Sequence, residues 1–561
     1  MKRNTLTTAV LAGLTGMAGM VSVSNATGVH VNPEGHGQAL IYPFYTARGG
    51  NDTLISIVNT HERGKAVKVR FREALNSREV LDFHLYMSPF DVWTAAVTSN
   101  DAGGATLFTN DTSCTVPAIP PGPDGGVDFL DFDYNQAAVI GTGTAASPQF
   151  KATFDGPAAI RGIERTASGY IEVIEMASMV EGVKPAANAT APAEGNIEWA
   201  AKHVEGVPNS CAALVDAWTT YPTNTATSAK DTIFGQAWID NRGFGLAEPK
   251  GGLFGAASII NVDAGTMFSF NAVALENFWK GEESAEKRHA VPGIDAPNLS
   301  STDNTTSHVL FGGVMVDQTF DLGVQAVTAA LAQSAIFNEY VTDASIGAQT
   351  EWVVTFPTKR YHTDPATVIA PFTQAWTYAA SSNAKPACES FELAFWDREE
   401  ESVSEAPGSA RPPVFSPSPN IADSVVKPDF TLCSEANVIA FSDVDAEVGA
   451  ASGILAEPAR ADGLGFVNFG LPFDSGWAEI DLVTSITEGT GGVDRNPRGR
   501  EMAQANVTTG DFGEEAVIQG LPVVGFAVTT YTNGELASGA LANYGGTFNH
   551  RGSRSITSSA E

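Results

Sequence analysis

Hydrophobic and polar positions alternate most strictly between Asp52 and Thr98, and this stretch predicts four short strands joined by tight turns. In Lys65–Ala74, Val67, Val69 and Phe71 fall on one side while Lys68, Arg70 and Arg72 fall on the other. That period of two places alternate side chains on opposite faces of a strand. Arg78–Met87 repeats the pattern, with Leu81, Phe83, Leu85 and Met87 set against Asp82, His84 and Tyr86. Both apolar rows carry odd numbers, and residues paired across a hairpin share a face. The connecting loop must therefore hold an odd number of residues, about three or five around Asn76, which brings Asp82 near Arg70 or Arg72. Ser88-Pro89-Phe90-Asp91 has the residues of a turn, after which Trp93, Ala95 and Val97 return to one face. Asp52–Thr60 alternates poorly, with Leu54, Ile55, Ile57 and Val58 apolar on both sides. It reads as a central strand covered on both faces.

Further strands are expected at Gln38–Ala47, Ser168–Met176, within Ala257–Leu275, and at Phe391–Trp396 and Val438–Phe441. Glu351–Tyr361 reads as a strand near a sheet edge because Pro357 interrupts it. Asn533-Gly534 is a hairpin signal, since this pair accepts the positive φ of a tight turn. A short helix is expected over Asn209–Trp218, capped by Asn209 or Ser210. A longer one is expected over Val324–Tyr340, with Val324, Val327, Leu331 and Ala335 as its apolar stripe and Asp321 as a cap. The fold class is therefore mainly β: two or more antiparallel, immunoglobulin-like β-sandwich domains with a few short helices. The expected divisions are an N-terminal domain over 27–225, a middle β-rich region with one helix over 226–380, and a C-terminal domain over 381–561.

Composition fits this reading. There are 55 Gly and 30 Pro, with only 17% charged residues, which suits a turn-rich β protein. Lys2 and Arg3, the apolar run from Ala9 to Val23 and Ser24-Asn25-Ala26 form a secretory signal, so residues 1–26 are expected to be removed. No later stretch is apolar enough to span a membrane as a helix, so no transmembrane anchor is expected. The chain reads as secreted, periplasmic or displayed at the cell surface. Its net charge of −32 argues against nucleic acid as a partner, because phosphate binding needs a basic surface. The four cysteines allow three pairings in an exported chain. Cys114 with Cys211 and Cys388 with Cys433 is favoured, because sequential pairing keeps each bridge within one domain.

Candidate chemistry is sparse. Lys65, Lys68, Arg70 and Arg72 could form an anion-binding stripe; the preferred reading is a solvated face neutralised by Asp82 and neighbouring acids. Asp124, Asp128, Asp131 and Asp133 lie near glycines and are the candidate calcium ligands. Their spacing departs from the EF-hand loop, and Phe129 and Phe132 interleave with them as on a half-buried strand, so a solvated strand face is preferred. No cofactor is expected, with calcium the possible exception. No nucleophile elbow, zinc-protease motif, phosphate-binding loop or dinucleotide fingerprint occurs. A glycosidase needs only two carboxylates and some aromatics, which could come from any part of the fold.

The stretches GGNDTLISIVNT, GKAVKVRFREALNSREVLDFHLYMSPFDVWTAAV, TEWVVTFPTKRY and GLPVVGFAV with NYGGTF resemble uncharacterised exported proteins of Gram-negative bacteria. The resemblance implies an exported bacterial protein and assigns no catalytic residue. The expected function is that of an extracellular or cell-envelope β protein with a structural, adhesive or assembly role. Its partners would be further copies of itself or cell-surface polymers. The alternative is a secreted carbohydrate-binding protein or glycoside hydrolase.

Overall fold

The computed structural model describes residues 27–122, 124–135, 161–180, 197–219, 245–281, 288–364, 367–368, 370–376, 386–399, 429–443, 446–459, 464–489, 492–496, 499–502, 516–535 and 541–558. Residues 1–26, where a signal segment is expected, lie outside them. The chain is mainly β, with several antiparallel sheets, as the alternation predicts.

An eight-stranded sheet runs His30–Val31, Val273–Glu276, Ala39–Thr46, Ser168–Met179, Lys65–Glu73, Glu79–Met87 and Cys114–Val116, with Leu246–Ala247 added beside Ser168–Met179. A six-stranded sheet runs Thr266–Asn271, Leu253–Asn261, Asn51–Asn59, Val92–Ser99, Ala105–Phe108 and Val127–Asp128. The hairpin register is the one parity requires. Val67 pairs with Leu85, Val69 with Phe83, Phe71 with Leu81 and Arg70 with Asp82, across a loop at 74–78. The shared face carries Val67, Val69, Phe71, Phe83 and Leu85 into one core with Ile55, Ile57, Trp93, Val97, Ala257 and Ile259 of the six-stranded sheet. Phe83 and Trp93 meet across it with ring centroids 5.6 Å apart. Gly255 is needed for this approach: the Tyr42 hydroxyl, which donates to the Ser56 carbonyl at 2.6 Å, lies 1.8 Å from where a Cβ at 255 would stand.

A second pair of five-stranded sheets follows. One runs Asp429–Leu432, Glu389–Asp397, Ser475–Asp481, Ala335–Val341 and Arg551–Ser553. The other runs Val467–Leu471, Ala436–Asp443, Ala348–Thr355, Val524–Glu535 and Leu541–Asn549, with its one parallel pair between Ala436–Asp443 and Val467–Leu471. Ile336, Tyr340, Trp352, Val354, Phe391, Leu393 and Ile480 form the core between them. Alternate residues of the same strands, Val353, Phe526 and Val528, belong instead to the first core. The second sheet is thus covered on both faces. Phe270 stacks on Phe526 at 4.3 Å, and the Thr355 hydroxyl donates to the Pro43 carbonyl at 2.7 Å, so the two pairs are joined along this seam.

Several sequence expectations change here. Region 226–380 divides between the two sheet pairs: Leu253–Asn261 and Val273–Glu276 complete the first, while Ala335–Val341 and Ala348–Thr355 belong to the second. Hydrogen-bonded strands therefore cross the boundary expected at 225. The helix expected over Val324–Tyr340 spans only Gly323–Leu331. It starts at Leu322, whose N–H is accepted by the Gln325 side chain, rather than at Asp321. Beyond Leu331 the chain turns into strand Ala335–Val341, because Ile336 and Tyr340 alternate into the second core and its backbone pairs on both sides. Ala348–Thr355 is central rather than near an edge, since Pro357 lies beyond its last paired residue. Asn533-Gly534 lies within strand Val524–Glu535, at a register shift, and the pairing continues to Glu535 with Leu541. The expected short helix is found at Cys211–Thr219.

Trp93 is wholly buried where the first two sheets meet. Trp93→Ala is expected to lower stability by about 3–5 kcal/mol in urea denaturation, the range for removing a large buried aromatic.

Candidate functional site

Two features stand out: an ionic layer buried behind the eight-stranded sheet, and a face with few charges on the outside of the six-stranded one. The ionic layer is built from the basic row. Lys68, Arg70 and Arg72 alternate onto the face opposite Val67, Val69 and Phe71, but that face is covered, and all three side chains are buried. The expectation of a solvated face is therefore overturned. The Ile294–Asn298 segment lies over it, accepting from Lys68 and Arg70 at the Ile294 carbonyl and from Arg70 at the Pro297 carbonyl. Lys359–His362 closes the adjacent part, with the Arg360 guanidinium donating to the Ser77 carbonyl at 2.6 Å.

The anions for this row come from the chain itself. Asp82 lies 2.5 Å from Lys68, and Glu79 accepts from Arg70 at 2.6 Å. Glu172 lies 2.9 Å from Arg72 and 3.6 Å from Arg70. Asp295 accepts from Arg72 at 2.8 Å and from Arg360 at 3.1 Å. Lys68, Arg70, Arg72 and Arg360 are thus matched by Glu79, Asp82, Glu172 and Asp295. Burial opposes the charge on Asp295, but Arg72, Arg360 and Arg70 outweigh it and hold the carboxyl well below the usual carboxylate range. For Glu79 burial wins over the pull of Arg70 and pushes the carboxyl up. A row engaged in this way has no cation left for an external anion, so its chemistry is cohesion.

Lys65 belongs elsewhere, because its odd number places it on the side of Val67. There it donates to Glu175 at 2.7 Å, both side chains being fully buried. Glu175 also accepts from the Lys250 and Gly251 N–H groups. Glu276 lies close by, with one buried carboxyl oxygen that makes no hydrogen bond. Burial and the neighbouring Glu175 push its carboxyl up to about 7. On the covered face, His84 has neither ring nitrogen hydrogen-bonded. It is packed against Trp218 and His289, and burial keeps it neutral by lowering its pKa well below the ordinary histidine value.

The acidic stretch does not converge. Asp128 accepts from Thr106 and Asn100, Asp131 from Asn135, and Asp133 from the Glu79 N–H, while Asp124 sits exposed in a turn. Among the described residues no group of three or more His, Cys, Asp or Glu could hold a metal ion. Both disulfides have the favoured pairing, Cys114–Cys211 and Cys388–Cys433. They are compatible with an oxidising compartment. No described helix is long and apolar enough to cross a membrane.

The outer face of the six-stranded sheet was not legible as a surface. Asn51–Asn59 is central, yet only one of its faces is covered: Leu54 is 42% exposed. Register places Ser269, Ser258, Leu54, Ala96 and Phe108 in one row across five strands. Asn271, Ala256, Ser56 and Thr94 form the next row, and Met267, Ile260, Asp52 and Thr98 the row on the other side. A shallow trough of about 700 Å³ runs over the first two rows, between residues 256–258 and 108–110. The last row continues from Thr98 through Thr106 to Asp128, so the ionisable side chains of these rows are Asp52 and Asp128. Phe254 and Met267 are 41% and 58% exposed at the margins of the face.

No family model, curated protein or solved structure matches the chain.

Glu172→Gln leaves Arg70 and Arg72 buried with a missing charge and is expected to cost about 3–5 kcal/mol by chemical denaturation. Asp295→Asn should cost less, about 1–2 kcal/mol, because the Asp295 side chain is 39% exposed and water screens the loss. Equal costs would show that the layer is not organised around Glu172. A second test concerns pH. A carboxyl raised to about 7 makes the folded state bind its proton more tightly than the unfolded chain does. Stability then falls as pH rises from about 4.3 to that value. Glu276→Gln should remove this fall, raising stability at pH 8 by on the order of 1–3 kcal/mol with little change at pH 4, read from melting curves at both pH values.

Proposed function

We propose that the chain is an exported, extracellular or cell-envelope β protein with an assembly role, built as two joined β-sandwich modules. Its contact surface is the outer face of the six-stranded sheet, and the occupant of that face is a second copy of the chain. The observation that carries this reading is the contrast between a chain of net charge −32 and a face whose described rows hold only two ionisable residues, Asp52 and, at its edge, Asp128. Two copies of so acidic a protein repel one another over most of their surfaces. They can approach closely only where both present neutral, partly apolar side chains, and an isologous contact places one such face against itself. Leu54, Phe254 and Met267 supply apolar contact, while Ser56, Thr94, Ser258 and Ser269 are small enough to let the sheets come close. The disulfides and ionic layer suit a body that must keep its shape outside the cell.

A second reading, carbohydrate binding, rests on a different observation. Trp396 and Trp477 pair across neighbouring strands and stack with ring centroids 4.1 Å apart, Trp477 being 39% exposed. Glu339 pairs with Trp477 on the same face, and Glu479 lies two residues along. Aromatic faces with nearby carboxylates are the groups that recognise sugar rings and hydroxyls. On this reading Trp477→Ala would abolish retention on an insoluble polysaccharide that retains the unaltered protein.

The assembly reading is tested by sedimentation of the unaltered chain at concentrations where a micromolar contact would be filled. A dimer is expected, and Leu54→Asp or Met267→Asp should shift it to monomer. Stability per chain should change by no more than about 0.5 kcal/mol, since both positions are exposed. A monomer under those conditions would sink the proposal, as would a dimer indifferent to both substitutions.

A further inference from the structure

Where the two sheet pairs meet, a cavity of about 260 Å³ lies between Pro43, Phe270 and Val273 on one side and Leu331, Ile336 and Val523 on the other. An open recess of about 410 Å³, lined by Leu310, Phe311 and Gly312, adjoins it. Gln333, Gly552 and Arg554 line both, so these residues form the partition between recess and cavity. The cavity walls combine apolar side chains with Asn271, Asn549 and His550.

Arg554 is the charged group of this cavity. Its Nη2 donates to the Ala330 carbonyl at 3.0 Å, near the end of helix Gly323–Leu331, while among the described residues Nε and Nη1 find no hydrogen-bond partner. Among the described residues no carboxylate lies within ion-pair distance of it. This departs from the practice elsewhere in the molecule: Arg165 has Glu73 at 2.6 Å, Arg288 has Glu248 at 2.7 Å and Arg500 has Glu389 at 3.4 Å. Burial alone acts on the Arg554 guanidinium, lowering its pKa with no acid to offset it. The other titratable ring lining the cavity is neutral. His550 has its pKa lowered to about 4 by burial, and its Nε2 donates to the Val353 carbonyl at 2.9 Å. The Arg554 side chain is only partly buried and lines both the open recess and the cavity. In a chain with twice as many acids as bases, a guanidinium with no acid beside it among the described residues is open to an anion from outside.

We propose that the cavity at this seam binds a small organic carboxylate, its carboxyl group held by Arg554 and its apolar tail lying against Phe270, Val273 and Val523. The free Nε–H and Nη1–H form the two-pronged donor that fits a carboxylate. Asn271, Asn549 and Gln333 supply neutral polar groups around it. The volume sets the size of the ligand: at about 30 Å³ per water-sized unit there is room for roughly eight or nine non-hydrogen atoms. That suits a short fatty acid or a simple aromatic acid.

The experiment uses the full chain with hexanoate, hexanamide and inorganic phosphate as probes, read by titration calorimetry and by the shift in melting temperature. Hexanoate is expected to bind and raise the melting temperature, and to bind at least about tenfold more tightly than hexanamide, which lacks the charge for Arg554. Phosphate, which lacks the tail, should bind more weakly than hexanoate. Arg554→Gln should bring hexanoate down to the level of hexanamide. The acid and amide comparison on the unaltered protein needs no variant and so stands even if Arg554→Gln fails to fold. Equal binding of acid and amide, phosphate binding as tight as hexanoate, or no binding of hexanoate would each overturn the assignment.

Discussion

The interaction on which the rest depends is the pairing of buried charge behind the eight-stranded sheet. Lys68, Arg70 and Arg72 stand on one face of a strand, and a covered face cannot hold them unless each meets a carboxylate. Glu79, Asp82 and Glu172 come from the two neighbouring strands, so sheet formation supplies most of the neutralisation locally. Asp295 and Arg360 come from far along the chain: Asp295 is 223 residues from Arg72, and Arg360 is 283 residues from the Ser77 carbonyl it donates to. The layer therefore fixes where the Ile294–Asn298 segment and the Lys359–His362 turn must sit. A pairing of this kind adds less net stability than an apolar packing of equal volume would, but it is unforgiving of misplacement, because a single missing partner leaves an unpaired buried charge.

From that turn the constraint passes into the second sheet pair. Lys359 donates to the Cys433 and Ser434 carbonyls, and Glu435 accepts from the Arg360 N–H, so the ionic layer reaches the Cys388–Cys433 bridge. The strand Ala348–Thr355, just before the turn, then presents Val353 to one core and Trp352 and Val354 to the other. Two sheet pairs built this way meet along a continuous seam. The seam is closely packed at Phe270 and Phe526 and opens beside Arg554.

The strand facings were legible because they depend on nothing beyond alternation. Val67, Val69, Phe71, Phe83 and Leu85 share a face in the structure as their numbering requires, and Arg70 stands opposite Asp82. The disulfide partners followed from order along the chain. The errors have a common form. Helix Gly323–Leu331 was extended through Tyr340 because short apolar runs fit both periods, and pairing with Ser475–Asp481 and Arg551–Ser553 decides for strand. The composition of Asp52–Thr60 suggests a strand covered on both faces, but in the structure its second face is open. Arg554, which has no motif around it, carried no signal at all. Its isolation from acids exists only in three dimensions.

The sequence by itself determined the class of structure, the side of each strand on which a residue lies, the parity of the hairpin loop and the pairing of the cysteines. These are consequences of the two-residue period and of proximity along the chain. Which face of a sheet is buried was decided only by tertiary structure. A basic row and an apolar row each look the same from the sequence whether water or protein lies over them. Here Ile294–Asn298 and Lys359–His362 cover the basic row that seemed destined for solvent, while the face bearing Leu54 and Met267 stays open. The covering segments lie hundreds of residues away, and no local pattern records where they will land.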